Sequence, residues 1–305
     1  MLKKIILLAG PTASGKSELA IKLAKKLNGQ IINADSMQVY KEFSILSSRP
    51  DQKDEKKVKH HLYGTISVKK HFSTGDWLSL VKKKINQCHK NKIVPIIVGG
   101  TGLYFSAITK GISKIPNIDI KTRNKTRNLF NRIGYKKFYL NLQRIDPKVK
   151  GNILPSDSQR SQRAYEVFLK TKKSLFDWML NTKSDFTNVQ IKKIYLNTPR
   201  DVLLKNISLR TKLMFKKDCI KEVKKFNLLD INKSLSANKL IGVREINDYL
   251  KGTITLEKCE DLINIKTRQY AKRQNTWARG HMSNWNKLYS KDLTVLIKKV
   301  LKVVS

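Results

Sequence analysis

The sequence predicts an α/β protein: a parallel β-sheet with helices on both faces, interrupted by an inserted all-helical domain. Three observations carry this prediction. Short apolar runs at 5–9, 30–34 and 94–98 alternate with segments of helical period, as strands covered on both faces do. The first run leads through GPTASGKS, residues 10–17, into an amphipathic segment, which is the strand, glycine turn and helix of a P-loop NTPase-like core. From Ile118 to about Val189 the chain is polar, basic and helical in period, with no convincing strand.

Each element has a local reason. Leu19, Ala20, Leu23, Ala24 and Leu27 place an apolar stripe on a helix over 18–27, and Asn28-Gly29 stops it. Ile31-Ile32 opens a second buried strand, and the strand at 94–98 runs into Gly99-Gly100-Thr101-Gly102. Ile115-Pro116-Asn117 breaks the chain at the start of the insertion. Within it, Pro155-Ser156 gives a helix start, and 159–170 carries Arg160 and Arg163 with Val167 and Phe168 on the inner side. The sheet resumes at Ile194-Tyr195-Leu196; Thr198-Pro199 then opens a capped helix, and helices follow nearly to Ser305. The expected domains are a catalytic core of 1–112 and 190–305 and a helical domain of 113–189.

At 305 residues, 40% hydrophobic and 28% charged, the chain has the profile of a soluble two-domain protein, so wholesale disorder is excluded. The basic start Met1-Leu2-Lys3-Lys4 precedes too few apolar residues for a spanning helix, so neither membrane insertion nor export is expected. Three scattered cysteines, Cys88, Cys219 and Cys259, match neither a disulfide framework nor a zinc site and point to the reducing cytosol. The His60-His61 pair has no supporting carboxylate or cysteine spacing and is assigned to structure or RNA contact. The four tryptophans are too dispersed for a stacking platform and read as core. Lys and Arg total 63 against 23 Asp and Glu, a formal charge of +40 that makes nucleic acid the first partner to consider. A codon-driven abundance of Lys, Asn and Ile accounts for part of that excess.

GPTASGKS (Gly10, Pro11, Thr12, Ala13, Ser14, Gly15, Lys16, Ser17) satisfies G-x-x-x-x-G-K-[ST] at every fixed position. Its glycines turn successive N–H groups toward one anion, the helix dipole adds partial charge, Lys16 supplies a cation and Ser17 can hold Mg²⁺. A di- or triphosphate is the expected ligand. A phosphoryl-transfer enzyme of this design needs a second acid at a strand end, yet Ile96-Ile97-Val98 ends in Gly99-Gly100-Thr101. The acid near the P-loop is Asp35, a candidate general base, though the same residue also reads as an ordinary helix-capping aspartate.

GPTASGKS, then Asp35-Ser36-Met37-Gln38-Val39-Tyr40, Gly99-Gly100-Thr101-Gly102-Leu103-Tyr104 and Thr267-Arg268-Gln269-Tyr270-Ala271-Lys272-Arg273-Gln274 with Thr276-Trp277 closely resemble the motif series of tRNA dimethylallyltransferases. The resemblance spans nearly the whole chain. It implies transfer of a dimethylallyl group from dimethylallyl diphosphate to N6 of the adenosine 3′ of the anticodon, in tRNAs reading codons that begin with U. It makes Asp35 the base, gives Thr101 and Arg210 places beside Lys16 at the reacting centre, and assigns Mg²⁺ to the diphosphate. Contacts with the turned-out base and its neighbours in the tRNA anticodon stem-loop fall to Asp35, Ser36, Met37, Gln38, Thr101, Arg123, Gln159, Arg160, Ser161, Gln162 and Arg163, and further RNA contacts to Arg244, Lys272, Arg273 and Gln274. Without the resemblance, the arginines of the insertion read as a solvated helix face. A cytoplasmic monomer is expected.

The chain also departs from the pattern. Asn152 and Ser156 stand where the family usually has Arg and Asn, Val243 replaces a Tyr, and 215–218 lacks the usual Gly before a Leu-x-x-Glu-Val-like segment. Three other functions fit parts of the sequence. A small-molecule kinase lacks its second acid, a non-catalytic RNA-binding module would not need Lys16, Ser17 and Asp35, and a transferase acting on free adenine nucleotides would not need the basic insertion.

Overall fold

The computed structural model describes residues 3–232 and 234–305; Met1 and Leu2 of the basic start lie outside the described residues. The first half contains β1 (Lys4–Ala9), α1 (Lys16–Lys26), β2 (Gly29–Asn33), α2 (Gln52–Lys57), β3 (His60–His61), α3 (Thr74–Lys90), β4 (Val94–Gly99) and α4 (Gly102–Thr109). Then come α5 (Ile120–Ile145), α6 (Ser158–Thr171) and α7 (Leu175–Leu180). The chain returns through β5 (Gln190–Leu196), α8 (Arg200–Lys216), α9 (Cys219–Asn227), α10 (Val243–Leu250), α11 (Leu256–His281), β6 (Asn286–Leu288) and α12 (Leu293–Val304).

The strands form a six-stranded sheet in the order β3-β2-β4-β1-β5-β6, and every pairing is parallel. Alternation along the strands divides the core. Ile5, Leu7, Ile32 and Ile97 face Trp77 of α3, Phe105 of α4 and Trp285, whereas Ile6, Leu8, Ile31, Ile96 and Ile194 face Leu19 and Leu23 of α1 and Val300 of α12. A third apolar cluster joins Val39, Phe43 and Leu46 to Val223, Phe226, Ile246 and Ile263 of the C-terminal helices. Because the strands run the same way, the segments after β1, β2, β4 and β5 all emerge at one edge of the sheet, where such folds bind ligands.

The chain divides into two compact units, 1–108 with 186–305 and 109–185. The division falls four residues before each expected boundary, and the reason at the second is Phe186, which is buried in the sheet's core. In the helical unit α5 breaks into two helices at Gly134, whose φ is 73°. Tyr139, Leu142, Val149, Ile153 and Ala164 form its core, and the Tyr139 hydroxyl donates to Ile153 O at 2.8 Å.

Two local expectations are corrected and a third is narrowed. The C-terminal part is not wholly helical after α8: β6 extends the sheet from β5, a strand too short and polar to register as a periodic run. His60 and His61 form the edge strand β3, with His61 Nε2 2.7 Å from Gln30 Oε1; burial first, and neighbouring lysines second, push its pKa down to about 4, so it is neutral and structural. The cap of α6 is Asp157, whose side chain accepts from Arg160 N at 3.0 Å, one residue beyond Pro155-Ser156. Two of the four tryptophans are core: Trp77 is fully buried and stacks on Tyr104 at 4.0 Å, and Trp285 is buried beside Phe105, whereas Trp178 and Trp277 are half-buried and Trp277 stacks on His281 at 4.4 Å.

Candidate active site

The P-loop is shaped by its neighbours. Ala13 has φ 62° and Gly15 φ 83°, and α1 begins directly at Lys16, so the turn delivers successive N–H groups to the helix N-terminus. Two of its carbonyls are engaged from the far side: Asn206 Nδ2 donates to Ala13 O at 3.0 Å and Thr198 Oγ1 to Ser14 O at 3.4 Å. Thr198 therefore serves the P-loop and does not cap α8, whose N-cap is Pro199 with no side-chain cap.

A cavity of about 720 Å³ opens over this loop, lined by Thr12 to Glu18 together with Asp35, Gln38 and Arg210. Lys16 Nζ donates to Pro11 O at 3.0 Å. Loss of water around the ammonium lowers its pKa to about 8; the Asp35 carboxylate opposes that shift and the Arg210 charge adds to it. Burial also lowers Arg210. Arg210 donates Nη1 to Thr12 Oγ1 at 2.5 Å and Nη2 to Ser47 O at 3.3 Å, and its buried Nε has no hydrogen-bond partner. A cation pair of this kind, with an unspent donor, suits a ligand carrying concentrated negative charge.

Asp35 follows β2, and its setting removes the helix-capping reading. Its Oδ1 accepts from Met37 N at 2.9 Å in a tight turn, and no helix follows, so it is not a helix cap. The same turn is tied to the end of β4: Ser36 N donates to Thr101 Oγ1 at 3.0 Å and Thr101 N to Ala34 O at 3.1 Å. Gly99 permits this approach, since a Cβ there would lie 2.1 Å from Ala34 O. Gln38 Nε2 is held by the carbonyls of Ser47 and Ser48, each at 2.9 Å. Thus Lys16, Asp35, Gln38 and Arg210 line one cavity, with Ser36 and Thr101 joined beside it.

A second, smaller cavity of about 190 Å³ adjoins Thr101, with a largely apolar wall of Ala9, Phe105, Tyr195, Trp277 and Met282. Tyr270 and Arg273 complete it. Burial, reinforced by the Asp35 charge, pushes the Tyr270 phenol up, so it stays a donor at neutral pH. Sequence reasoning assigned Tyr270 no role; its signal was the four-residue spacing to Gln274 on one helix face.

The structure moves two residues away from their expected RNA contacts. Gln274 Oε1 accepts from Thr12 N at 2.8 Å and its Nε2 donates to Gly100 O at 2.9 Å, so this side chain bridges the P-loop and the loop after β4. It lies on the inner face of α11 with the buried Ala271 and Ala278, whereas Lys272 and Arg273 are exposed. Ser161 is 1% exposed, on the buried side of α6 with Ala164 and Val167, while Gln159 and Arg160 face solvent and Gln162 and Arg163 are half-buried. Arg160 lies 3.5 Å from Asp157, and Arg163 lies 3.5 Å from Glu166. Arg123, in the first turn of α5, has a buried Nε without a hydrogen-bond partner. Arg244 is exposed and 3.8 Å from Asp248. Asn152 donates to Lys148 O at 2.8 Å, and Val243 is buried, so the departure at 243 changes packing.

Among the described residues there is no group of three or more His, Cys, Asp or Glu side chains able to hold a metal by themselves. The hydroxyl of Ser17 and the carboxylates of Glu18, Asp35 and Asp54 line the phosphate cavity without converging as such a group, a setting that fits Mg²⁺ arriving with a diphosphate and keeping much of its water.

The model of the family described as IPP transferase matches residues 38–281. A tRNA dimethylallyltransferase of Pelagibacter ubique is 51% identical over 299 residues, which cover 98% of this chain and 96% of that protein. One of Rickettsia massiliae is 38% identical, covering 99% and 84%. Among solved structures, the full-length tRNA isopentenylpyrophosphate transferase of Bacillus halodurans superposes with a TM-score of 0.71 at 30% identity, covering 99% of this chain and 97% of that one. A eukaryotic dimethylallyltransferase acting on tRNA gives 0.79 at 26% identity, covering 90% and 70%. With the family model matching residues 38–281 and relatives of 51% and 38% identity covering nearly its full length, the chain belongs to the IPP transferase family.

Proposed function

We propose that the protein transfers a dimethylallyl group from dimethylallyl diphosphate to N6 of the adenosine immediately 3′ of the anticodon, in tRNAs reading codons that begin with U. The observation that carries this reading is the placement of Asp35, with Lys16 and Arg210, in one cavity over a P-loop that has no second strand-end acid for phosphoryl transfer. The P-loop then holds a leaving group.

In the transfer, the N6–C1 bond forms while the C1–O bond to diphosphate breaks. Positive charge grows on the allylic carbon and negative charge on the departing oxygen. The P-loop N–H groups, Lys16 and Arg210 stabilise the latter because they are fixed before the reaction begins. Adenine N6 is a weak nucleophile, its lone pair being shared with the ring, and Asp35 takes its proton as the new bond forms. Thr101 and Ser36 hold the turn that aims Asp35. Ser17 would hold Mg²⁺ that arrives with the diphosphate, and the ion would supply charge neutralisation on the leaving group. The apolar wall of the smaller cavity beside Thr101 offers a dry setting to a branched alkyl chain.

The acceptor base must leave its stack, which costs roughly a few kcal/mol, offset by stacking and edge contacts in the protein. Ser36, Met37 and Gln38 receive it, and Arg123, Gln159, Arg160, Gln162 and Arg163 of the helical unit bind the anticodon stem-loop. Arg244, Lys272 and Arg273 add phosphate contacts. The enzyme works as a monomer in the cytoplasm, where tRNA is used. No helix among the described residues is long and apolar enough to cross a membrane.

The test is to incubate the protein with unmodified tRNA, dimethylallyl diphosphate and Mg²⁺, digest the tRNA, and locate the modification by mass spectrometry. N6-dimethylallyladenosine next to the anticodon is expected. Modification of free adenosine monophosphate with untouched tRNA would overturn the reading.

A further inference from the structure

The segment 43–49 lies between the two halves of the proposed reaction. Ser47 O accepts from both Gln38 Nε2 at 2.9 Å and Arg210 Nη2 at 3.3 Å. Gln38 belongs to the acceptor side and Arg210 to the diphosphate side, so a single carbonyl registers both. Ser48 O takes a second bond from Gln38 at 2.9 Å. A loop carrying such a carbonyl must itself be fixed, because a misplacement of about 1 Å at a reacting centre costs on the order of a hundredfold in rate.

One side chain fixes it from outside the cavity. Glu222, in the first turn of α9, accepts four hydrogen bonds from the start of this loop. Its Oε1 takes Ser44 N at 2.7 Å, Ser44 Oγ at 3.1 Å and Ile45 N at 2.8 Å, and its Oε2 takes Leu46 N at 2.9 Å. Three consecutive amides on one carboxylate form a nest, the arrangement in which backbone N–H groups hold an anion most firmly. The position of Glu222 near a helix N-terminus favours its charge further.

The loop transmits that anchoring. Ser47 Oγ donates to Phe43 O at 2.7 Å, Ser48 N to Ile45 O at 2.9 Å and Arg49 N to Ser44 O at 3.0 Å, so its two ends move together. From beneath, the Phe43 ring packs on Phe226 of α9 with centroids 4.6 Å apart. The absence of a glycine at 215–218 is absorbed here: Asp218 itself takes φ 63° and caps α9 by accepting from Lys221 N at 3.1 Å, a conformation Asp tolerates better than most residues. That cap sets the helix turn on which Glu222 sits.

We infer that Glu222 is a positioning residue for both substrates at once, acting through the 43–49 loop to hold Gln38 for the acceptor and Arg210 for the diphosphate. The inference rests on the proposed tRNA prenylation, and wild-type turnover in the same assay keeps the two separable. Glu222→Ala is expected to remain folded by circular dichroism, to speed amide exchange at Ser44, Ile45 and Leu46, and to lower kcat/KM for tRNA and for dimethylallyl diphosphate together, each by on the order of tenfold to a hundredfold. Glu222→Gln keeps one acceptor oxygen but sets an NH₂ group against a backbone N–H, so a smaller loss on both substrates is expected; it also serves if the alanine variant does not fold.

Double-variant cycles separate positioning from general weakening. Combined with Gln38→Ala, Glu222→Ala should add little to the tRNA penalty, whereas with Arg160→Ala the two penalties should multiply. Active wild type with folded Glu222 variants within twofold of it on both substrates would overturn the inference, as would penalties that multiply with Gln38→Ala.

Discussion

Lys16 is a cation held where water is scarce, and its pKa, lowered to about 8, sets a pH profile. The diphosphate requires the ammonium form, so kcat/KM for dimethylallyl diphosphate, which reports the free enzyme, should fall as pH rises through about 8. Below that value this group imposes no slope. Lys16→Arg stays charged and should remove the alkaline fall, even at a lower overall rate; a fall unchanged in that variant would assign it to another group. Asp35 carries the complementary expectation. Asp35→Asn keeps the turn's acceptor for Met37 N but cannot take a proton, so kcat should drop by roughly 10²- to 10⁴-fold while tRNA affinity stays within a few-fold. Near-normal turnover would remove Asp35 as the base. Lys16 and Asp35 stood out in the sequence because each falls in a short motif that follows a short apolar run. Gln274 and Glu222 did not. Their bonds reach Thr12 across 262 residues and Ser44 across 178, and no local pattern encodes such distances.

At the scale of elements, α11 illustrates how one helix divides its labour. Its exposed side holds Lys272 and Arg273, and its inner side aims Gln274 between the P-loop and Gly100. Gln274→Ala should therefore raise KM for dimethylallyl diphosphate by about tenfold, the order expected when hydrogen bonds that place a binding group are lost. Its tRNA affinity should be unchanged in a filter-binding assay; a defect confined to tRNA would return Gln274 to the RNA surface. The motif around it reads as one basic run, and only the helical period, with Ala271 and Ala278 buried on either side, shows which member turns inward. Helix α6 follows the same rule. Its period buries Ser161 with Ala164 and leaves Gln159 and Arg160 outside, so a five-residue motif that the sequence presents as uniform contains one packing residue.

For the whole molecule, the charge of +40 sets how tRNA is met. Neutralising phosphates releases counterions, so tRNA affinity should fall steeply between about 50 and 200 mM salt. Arg160→Ala with Arg163→Ala should weaken binding and reduce that slope by about one to two units; an unchanged slope would place both side chains in solvent. The parallel sheet and the helical insertion were legible because apolar runs and helical periods differ so plainly. The edge strands β3 and β6 were not, being two and three residues long and mostly polar, and each pairing with a single neighbour, β2 or β5.

The central claim is that this P-loop holds a leaving diphosphate and not a phosphoryl donor. The most direct test counts three products in one reaction with tRNA, dimethylallyl diphosphate, ATP and Mg²⁺: prenylated adenosine, diphosphate and orthophosphate. One diphosphate released for each dimethylallyl group on tRNA, with no orthophosphate, is the predicted result. Orthophosphate that accumulates with ATP while the tRNA stays unmodified would contradict it.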